Sequence, residues 1–203
     1  MVSCAPFHPD SAVLYLASKS PRRRQLLEQV GIRFGTVDVD VPEVRVVGET
    51  PIEYVSRVAR EKAGAGLLKL SGVAGAVVLG ADTEVVIDDE VFGKPADSAD
   101  AVRMLRRLAG RTHRVPSVVW CVDAGREERV VSITEVAFTP LSDAQIESYL
   151  ATGEWRGKAG AYAIQGRAEA FVAHLSGSYS GVMGLPLCET VALAQRFGIV
   201  AAS

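Results

Sequence analysis

The apolar residues of this chain come in short runs, and most are followed at once by a turn or a helix-start signal. The longest stretch, Val73–Ala81, has nine residues and is interrupted by glycine. A membrane-crossing helix needs about 20 apolar residues, so that architecture is excluded for every run present. Instead the runs alternate with segments of helical spacing, the pattern of an α/β protein with a mixed sheet. Val13–Ala17 reads as a buried strand, and Ser20-Pro21 then supplies an N-cap and a first helical residue. Leu26, Leu27 and Val30 give that helix its apolar face, and Gly31 ends it.

A second strand is expected over Thr36–Val41, and a helix over Glu53–Leu70 with Val55, Val58 and Ala59 on one side. Ala76–Leu79 is the next buried strand. Glu84–Ile87, the turn Asp88-Asp89 and Val91-Phe92 predict a hairpin. Asp97–Ala109 carries a stripe of Ala101, Met104, Leu105 and Leu108, closed by Gly110 at the C-cap. Strands follow over Val115–Val122 and Arg129–Phe138. The capping box Ser142-Asp-Ala-Gln145 then opens a helix that Gly153 closes. Gly157–Gly181 is glycine-rich and irregular around one apolar run, Phe171–Leu175, and Pro186–Phe197 is the last helix. The first twelve residues, MVSCAPFHPDSA, have no basic region followed by an apolar core. They read as a loose leader (1–12) to a single domain (13–203).

Composition narrows the function. With 22 basic and 24 acidic side chains the net charge is −2, which speaks against coating polymeric nucleic acid or an anionic membrane. An RNA-binding module would also want an aromatic-basic array, which this chain lacks. Cys4, Cys121 and Cys188 lie far apart, as do His8, His113 and His174. Neither a disulfide framework nor a His/Cys zinc site fits that spacing, so a reducing, cytoplasmic location is expected.

Five segments carry candidate chemistry. Ser18-Lys-Ser20-Pro-Arg22-Arg23-Arg24 follows a strand and opens a helix, where free N–H groups and the positive dipole end favour an anion. Arginines in a first turn oppose the dipole, and a bound polyanion would compensate; the plainer alternative is a solvated basic turn. Gly80-Ala-Asp82-Thr83 ends a buried strand, where α/β proteins gather ligands. An Asp there can hold Mg²⁺ or accept a proton from water, or it can simply close a turn. Gly93-Lys94-Pro95 presents a positioned point charge suited to phosphate, or an ordinary loop lysine. Lys62 could be a solvated helix residue. Lys158-Ala-Gly-Ala-Tyr-Ala-Ile-Gln165-Gly combines small residues that permit close approach with an amide able to pair with a base edge, or is a tight surface loop. Gly177-Ser-Tyr and Gly184-Leu-Pro-Leu187 complete the set as a loop wall and a helix start.

In this order and approximate spacing, the motifs resemble those of the Maf family, the septum-formation-inhibitor-like nucleotide pyrophosphatases, from about Leu14 onward. The resemblance implies a two-lobed, Maf/ITPase-like α/β fold with a mixed central sheet and a cleft between lobes. It implies hydrolysis of a nucleoside triphosphate to monophosphate and pyrophosphate, dependent on Mg²⁺ or Mn²⁺. The Lys-Ala-Gly-Ala-Tyr-x-Ile-Gln-Gly form is similar to the branch that prefers dTTP and UTP, with CTP and modified pyrimidine nucleotides as further candidates. By the same match Asp82, Lys62 and Lys94 are catalytic, and Ser18, Ser20, Arg22 and Arg23 bind phosphate. Arg22, Thr83 and Gln165 set specificity, and Glu43 with Asp82 holds the metal. A homodimer is implied too. This chain departs from the pattern at Ala163, where Gly is usual, and at Ser117, where Thr is usual. No Ser/His or Cys/His nucleophile is required, so His113 and His174 are expected to be structural. The alternative function is a non-catalytic nucleotide sensor that regulates cell division through the same pocket.

Overall fold

The structure, a computed structural model, describes residues 12–201. The leader expected over 1–12 therefore lies outside the described residues, Ala12 apart. The first crossover is β1 (Val13–Leu16), α1 (Pro21–Gln29) and β2 (Phe34–Thr36), followed by α2 (Pro51–Lys69) and β3 (Ala76–Thr83). Strands β1, β2 and β3 run parallel, as strands joined by helical crossovers do. A small hairpin, β4 (Val85–Ile87) and β5 (Glu90–Phe92), turns through Asp88 and Asp89, both with positive φ. Helix α3 (Ser98–Leu108) leads into the long antiparallel pair β6 (Thr112–Val122) and β7 (Glu127–Phe138). Helix α4 (Asp143–Leu150), β8 (Val172–Ser176), α5 (Tyr179–Met183) and α6 (Leu187–Arg196) complete the order. The sheet is mixed and eight-stranded, ordered β2-β1-β3-β6-β4-β5, with β7 and β8 branching from β6.

Strand β6 joins the two lobes. Its second half pairs with β3 from Ser117 to Val122, while its first half meets β4 at Arg114 and Val86. Pro116 sits at the changeover. A strand residue's N–H and C=O point to the same side, and the Pro116 carbonyl accepts from Glu84 N on the β3–β4 side. The missing N–H therefore falls at the junction of β3 and β4 and interrupts neither ladder, which is why proline is tolerated in mid-strand. On one side of this seam Phe92, Leu105, Leu108, Phe138, Ile146 and Phe171 form a core. On the other, Leu14, Leu16, Leu27, Leu79, Leu193 and Phe197 form a second.

Helix α2 lies against β3 more closely than a side chain would allow. A Cβ at Gly80 would stand 2.4 Å from the Ala59 carbonyl oxygen and 2.5 Å from Ala63 N, so only glycine fits. That contact fixes the height of Lys62 relative to Asp82.

The expected second strand is corrected. Only Phe34–Thr36 pairs with β1, and residues 37–50 are irregular. The alternation of Val37, Val39 and Val41 looks like a strand because Val37 and Val39 are buried against Ala17, Ala63 and Val78. The ladder nevertheless ends after Val37 N donates to the Leu16 carbonyl. Ser20 does occupy the N-cap position of α1, but its hydroxyl makes no capping bond. Ser18 Oγ instead accepts from Ser20 N at 3.2 Å. Helix α2 begins at Pro51, two residues before the expected start, through a capping box of Thr50 and Glu53. The stretch expected to be irregular holds two short 3₁₀ turns, β8 and α5.

Candidate active site

All ten residues singled out from the sequence, Ser18, Ser20, Arg22, Arg23, Glu43, Lys62, Asp82, Thr83, Lys94 and Gln165, line one cleft of about 630 Å³. Its floor is the end of β3. Asp82 is buried, and Lys62 on α2 donates to its Oδ1 at 2.8 Å and to Glu43 Oε1 at 2.6 Å. Lys94, after β5, donates to Glu43 Oε2 at 2.5 Å. Burial raises the Glu43 carboxyl, but the two ammonium groups outweigh it and hold it down at about 2. The ionised carboxylate is thus the hub of a Lys–Glu–Lys bridge over Asp82.

Glu84 is a site residue that the motifs do not pick out. The sequence puts it at the start of the hairpin, yet it is buried and lines the same cleft. Asp82 and Glu84 are two apart at the end of a strand, so alternation turns both to one face; that spacing is the signal that points to it. Burial, then the charges of Asp82 and Glu43, push the Glu84 carboxyl up to about 8. Asp82 Oδ2 and Glu84 Oε2 are buried without a hydrogen-bond partner among the described residues. Unpaired buried oxygens are costly, and a donor or cation arriving with a ligand would satisfy them.

Helix α1 brings the arginines in from the other wall. Arg22 Nε donates to the Met183 carbonyl at 3.1 Å. Arg23, nearly buried, donates Nε to the Gly184 carbonyl at 2.7 Å and Nη1 to Ser18 Oγ at 3.3 Å. Both therefore tie α1 to the turn after α5, and their remaining N–H groups are what a ligand can use. Burial and then the neighbouring guanidinium of Arg22 lower the Lys158 ammonium below its ordinary value, and burial and then Arg23 do the same to Arg22. Cations crowded in this way favour an anion between them.

The stretch of wall from Tyr162 to Gln165 is neutral. Gly160, with positive φ, packs so tightly on Val85 that a Cβ would come within 2.8 Å of its side chain. Gly160 N donates to the Gly93 carbonyl, and Ala163 N donates to the Tyr149 hydroxyl at 3.0 Å. The Tyr162 hydroxyl lies 2.9 Å from Nε2 of buried His113, which is structural as expected. These contacts hold Tyr162, Ala163 and Gln165 along the wall of the cleft that Thr83 also lines.

Fold and cleft define an α/β protein whose cleft sets a cluster of cationic and acidic side chains beside a neutral stretch of wall. The chain belongs to the Maf family: the family model described as Maf-like protein matches residues 13–197. It is 57% identical to the dTTP/UTP pyrophosphatase of Xanthomonas axonopodis pv. citri (strain 306), over 92% of this chain and 99% of that one. It is 54% identical to the nucleoside triphosphate pyrophosphatase of Xylella fastidiosa (strain M23), over 91% and 98% respectively. Among solved structures, the Staphylococcus aureus Ham1 protein aligns with a TM-score of 0.42 at 14% identity, over 62% of this chain and 71% of that one.

Proposed function

We propose that this protein is a nucleoside triphosphate pyrophosphatase that hydrolyses dTTP and UTP to the monophosphate and pyrophosphate. The observation that carries the reading is the cleft itself. A triphosphate suits the charged end, a small base suits the neutral end, and a relative 57% identical over 92% of this chain is named a dTTP/UTP pyrophosphatase.

Water attacks the α-phosphorus, the bond to the α–β bridging oxygen breaks, and pyrophosphate leaves. Asp82 takes the water's proton on Oδ2, the oxygen that Lys62 leaves free. Lys62 holds Asp82 and Glu43 in register, and Lys94 and Arg22 stabilise negative charge as it moves toward pyrophosphate. The residues also fit a divalent ion. Mg²⁺ is ordinarily held by one or two carboxylates together with substrate phosphates and water. Asp82 and Glu43 are two such carboxylates, lining one cleft and joined through Lys62. Asp82 and Glu43 would hold Mg²⁺ or Mn²⁺ through oxygens that here accept from Lys62 and Lys94, leaving Asp82 Oδ2 for the water's proton; when bound, the ion supplies charge neutralisation and alignment of the nucleophile. The same reading makes the enzyme a cytoplasmic homodimer. Among the described residues no helix is long and apolar enough to cross a membrane.

The test is pyrophosphate release from a panel of dTTP, UTP, dCTP, CTP, dATP and dGTP, with Mg²⁺ and with EDTA. Preferential, EDTA-sensitive release from dTTP and UTP supports the reading. Tight nucleotide binding without release would instead support the nucleotide-sensing alternative.

A further inference from the structure

A serine that lies outside the cleft controls which way a hydroxyl inside it points. Ser117 on β6 stands directly opposite Thr83 on β3 in the antiparallel register. It is fully buried and is not part of the cleft wall, whereas Thr83 is. Ser117 Oγ lies 2.7 Å from the Gly181 carbonyl oxygen in α5 and 2.8 Å from Thr83 Oγ1. A carbonyl oxygen can only accept, and a serine hydroxyl has one proton. Ser117 therefore donates to Gly181, so in the second contact Ser117 accepts and Thr83 donates. The chain of protons runs from Thr83 to Ser117 to Gly181, away from the cleft. Thr83 is left facing the cleft with lone pairs alone.

We propose that Ser117 is a specificity-positioning residue: by taking the Thr83 proton it makes Thr83 an obligatory acceptor that selects a ring N–H on the base. The inference rests on the pyrimidine-triphosphate reading above. Uracil and thymine present N3–H between two carbonyls, which matches an acceptor. Cytosine presents a bare N3 lone pair at the same place, which opposes one. The 5-methyl group that separates thymine from uracil lies on the other edge of the ring, so both pass. Gln165 cannot supply this discrimination by itself. Turning its amide over exchanges donor for acceptor, and it pairs with either pyrimidine. The Thr83–Ser117 pair cannot be turned over while Gly181 holds the far end. A donor-selecting site rejects adenine at N1 by the same logic and leaves guanine to be excluded by size.

The experiment measures kcat/KM for dTTP, UTP, dCTP and CTP on wild type, Ser117→Ala and Ser117→Thr. Removing the serine hydroxyl frees the Thr83 proton to rotate into the cleft. The dTTP/dCTP ratio should then fall by roughly 10-fold or more, as expected when a buried site loses a fixed hydrogen-bond polarity. Ser117→Thr keeps the hydroxyl and should keep the ratio. A uniform loss across all four substrates in Ser117→Ala would overturn the inference, because a purely structural serine would act that way. Should Ser117→Ala fail to fold, N3-methyl-dTTP tested on the wild type decides. That substrate lacks the N–H, and hydrolysis as fast as dTTP would overturn the assignment. A wild type that shows no preference for dTTP over dCTP removes the pyrimidine reading together with this inference. A preference that survives in Ser117→Ala removes this inference alone.

Discussion

The two ends of the cleft solve opposite problems with opposite materials. The charged end is assembled from long side chains on separate elements, Lys62 from α2, Glu43 from the irregular crossing, Lys94 from the loop after β5 and Arg22 from α1. Its members neutralise one another, and each can swing to a new partner when a triphosphate arrives. The neutral end is one continuous stretch of chain around Tyr162 and Gln165, pinned by Tyr149, by His113 and by the Gly160–Val85 contact. Charge attracts from any direction, so the first end tolerates movement. Under the proposed function, reading a ring N–H against a ring lone pair depends on where one proton points, so the second end must be rigid.

The largest expected effect breaks the charged end. Asp82→Asn keeps the shape and the bond from Lys62 but removes the base. Turnover should fall by roughly 10²- to 10⁴-fold, the range for a positioned general base. The dTTP/dCTP ratio should stay, because nothing at the neutral end changes. Near-normal turnover with an unchanged melting curve would show that the proton goes elsewhere, with Glu84 the neighbour to test next.

A second effect singles out the neutral end. Burial lowers His113 to about 4 from an ordinary 6.5, so the folded protein holds it uncharged. Between those values the unfolded chain binds the extra proton and the folded one does not. Stability from this group is therefore complete above pH 6.5 and is lost as pH falls toward 4, by an order of magnitude of about 3 kcal/mol. Glu43, held at about 2, keeps its charge throughout that interval. Acid should thus loosen the Tyr162 wall while the Lys–Glu–Lys bridge persists. His113→Gln should flatten the fall of Tm between pH 6.5 and 4; equal slopes for variant and wild type would remove His113 as the cause.

The same contrast explains which parts of the molecule are legible in the residues alone. The strand ends and the helix caps are local features. Gly80-Ala-Asp82-Thr83 sits at a strand end, and the capping box of Ser142 and Gln145 forms as expected. Glu84 escapes a local reading because a charged residue beginning a strand usually faces solvent; here it is buried at the cleft between β3 and β4. The false strand at Thr36–Val41 has the converse cause. Its alternating valines are buried by tertiary packing, without a neighbouring strand to bond to. The Ser117–Thr83 pair depends on β3 and β6 register across 34 residues of sequence, which no local pattern specifies.

A third comparison sets Arg22 against Gln165. Arg22→Ala removes a charge beside every triphosphate and should lower kcat/KM for dTTP, UTP and dATP broadly together, with any departure from uniformity measuring the specificity role that the family match also gives Arg22. Gln165→Ala removes a base contact and should penalise dTTP and UTP relative to purines by about 1–3 kcal/mol, the size of a lost buried hydrogen bond. Equal losses on all substrates in Gln165→Ala would leave base reading to Thr83 alone.

The smallest effect tests how much slack the charged end has. The segment bearing Glu43 is irregular, and Arg57 on α2 clamps it by donating Nη2 to the Val44 carbonyl at 2.9 Å and to Glu49 Oε2 at 3.0 Å. Arg57→Met keeps much of the stem and releases the clamp. Exposed ion pairs contribute little to stability, so Tm should barely move. Glu43 should remain near Lys62 and Lys94, because those bonds are independent of Arg57. The cost should be a roughly two- to fivefold drop in kcat/KM, equal for dTTP, UTP and dCTP, as expected for a weak positioning contact. A changed dTTP/dCTP ratio would mean that movement of the Glu43 segment reaches the base, and the division of the cleft into a yielding end and a rigid one would fail.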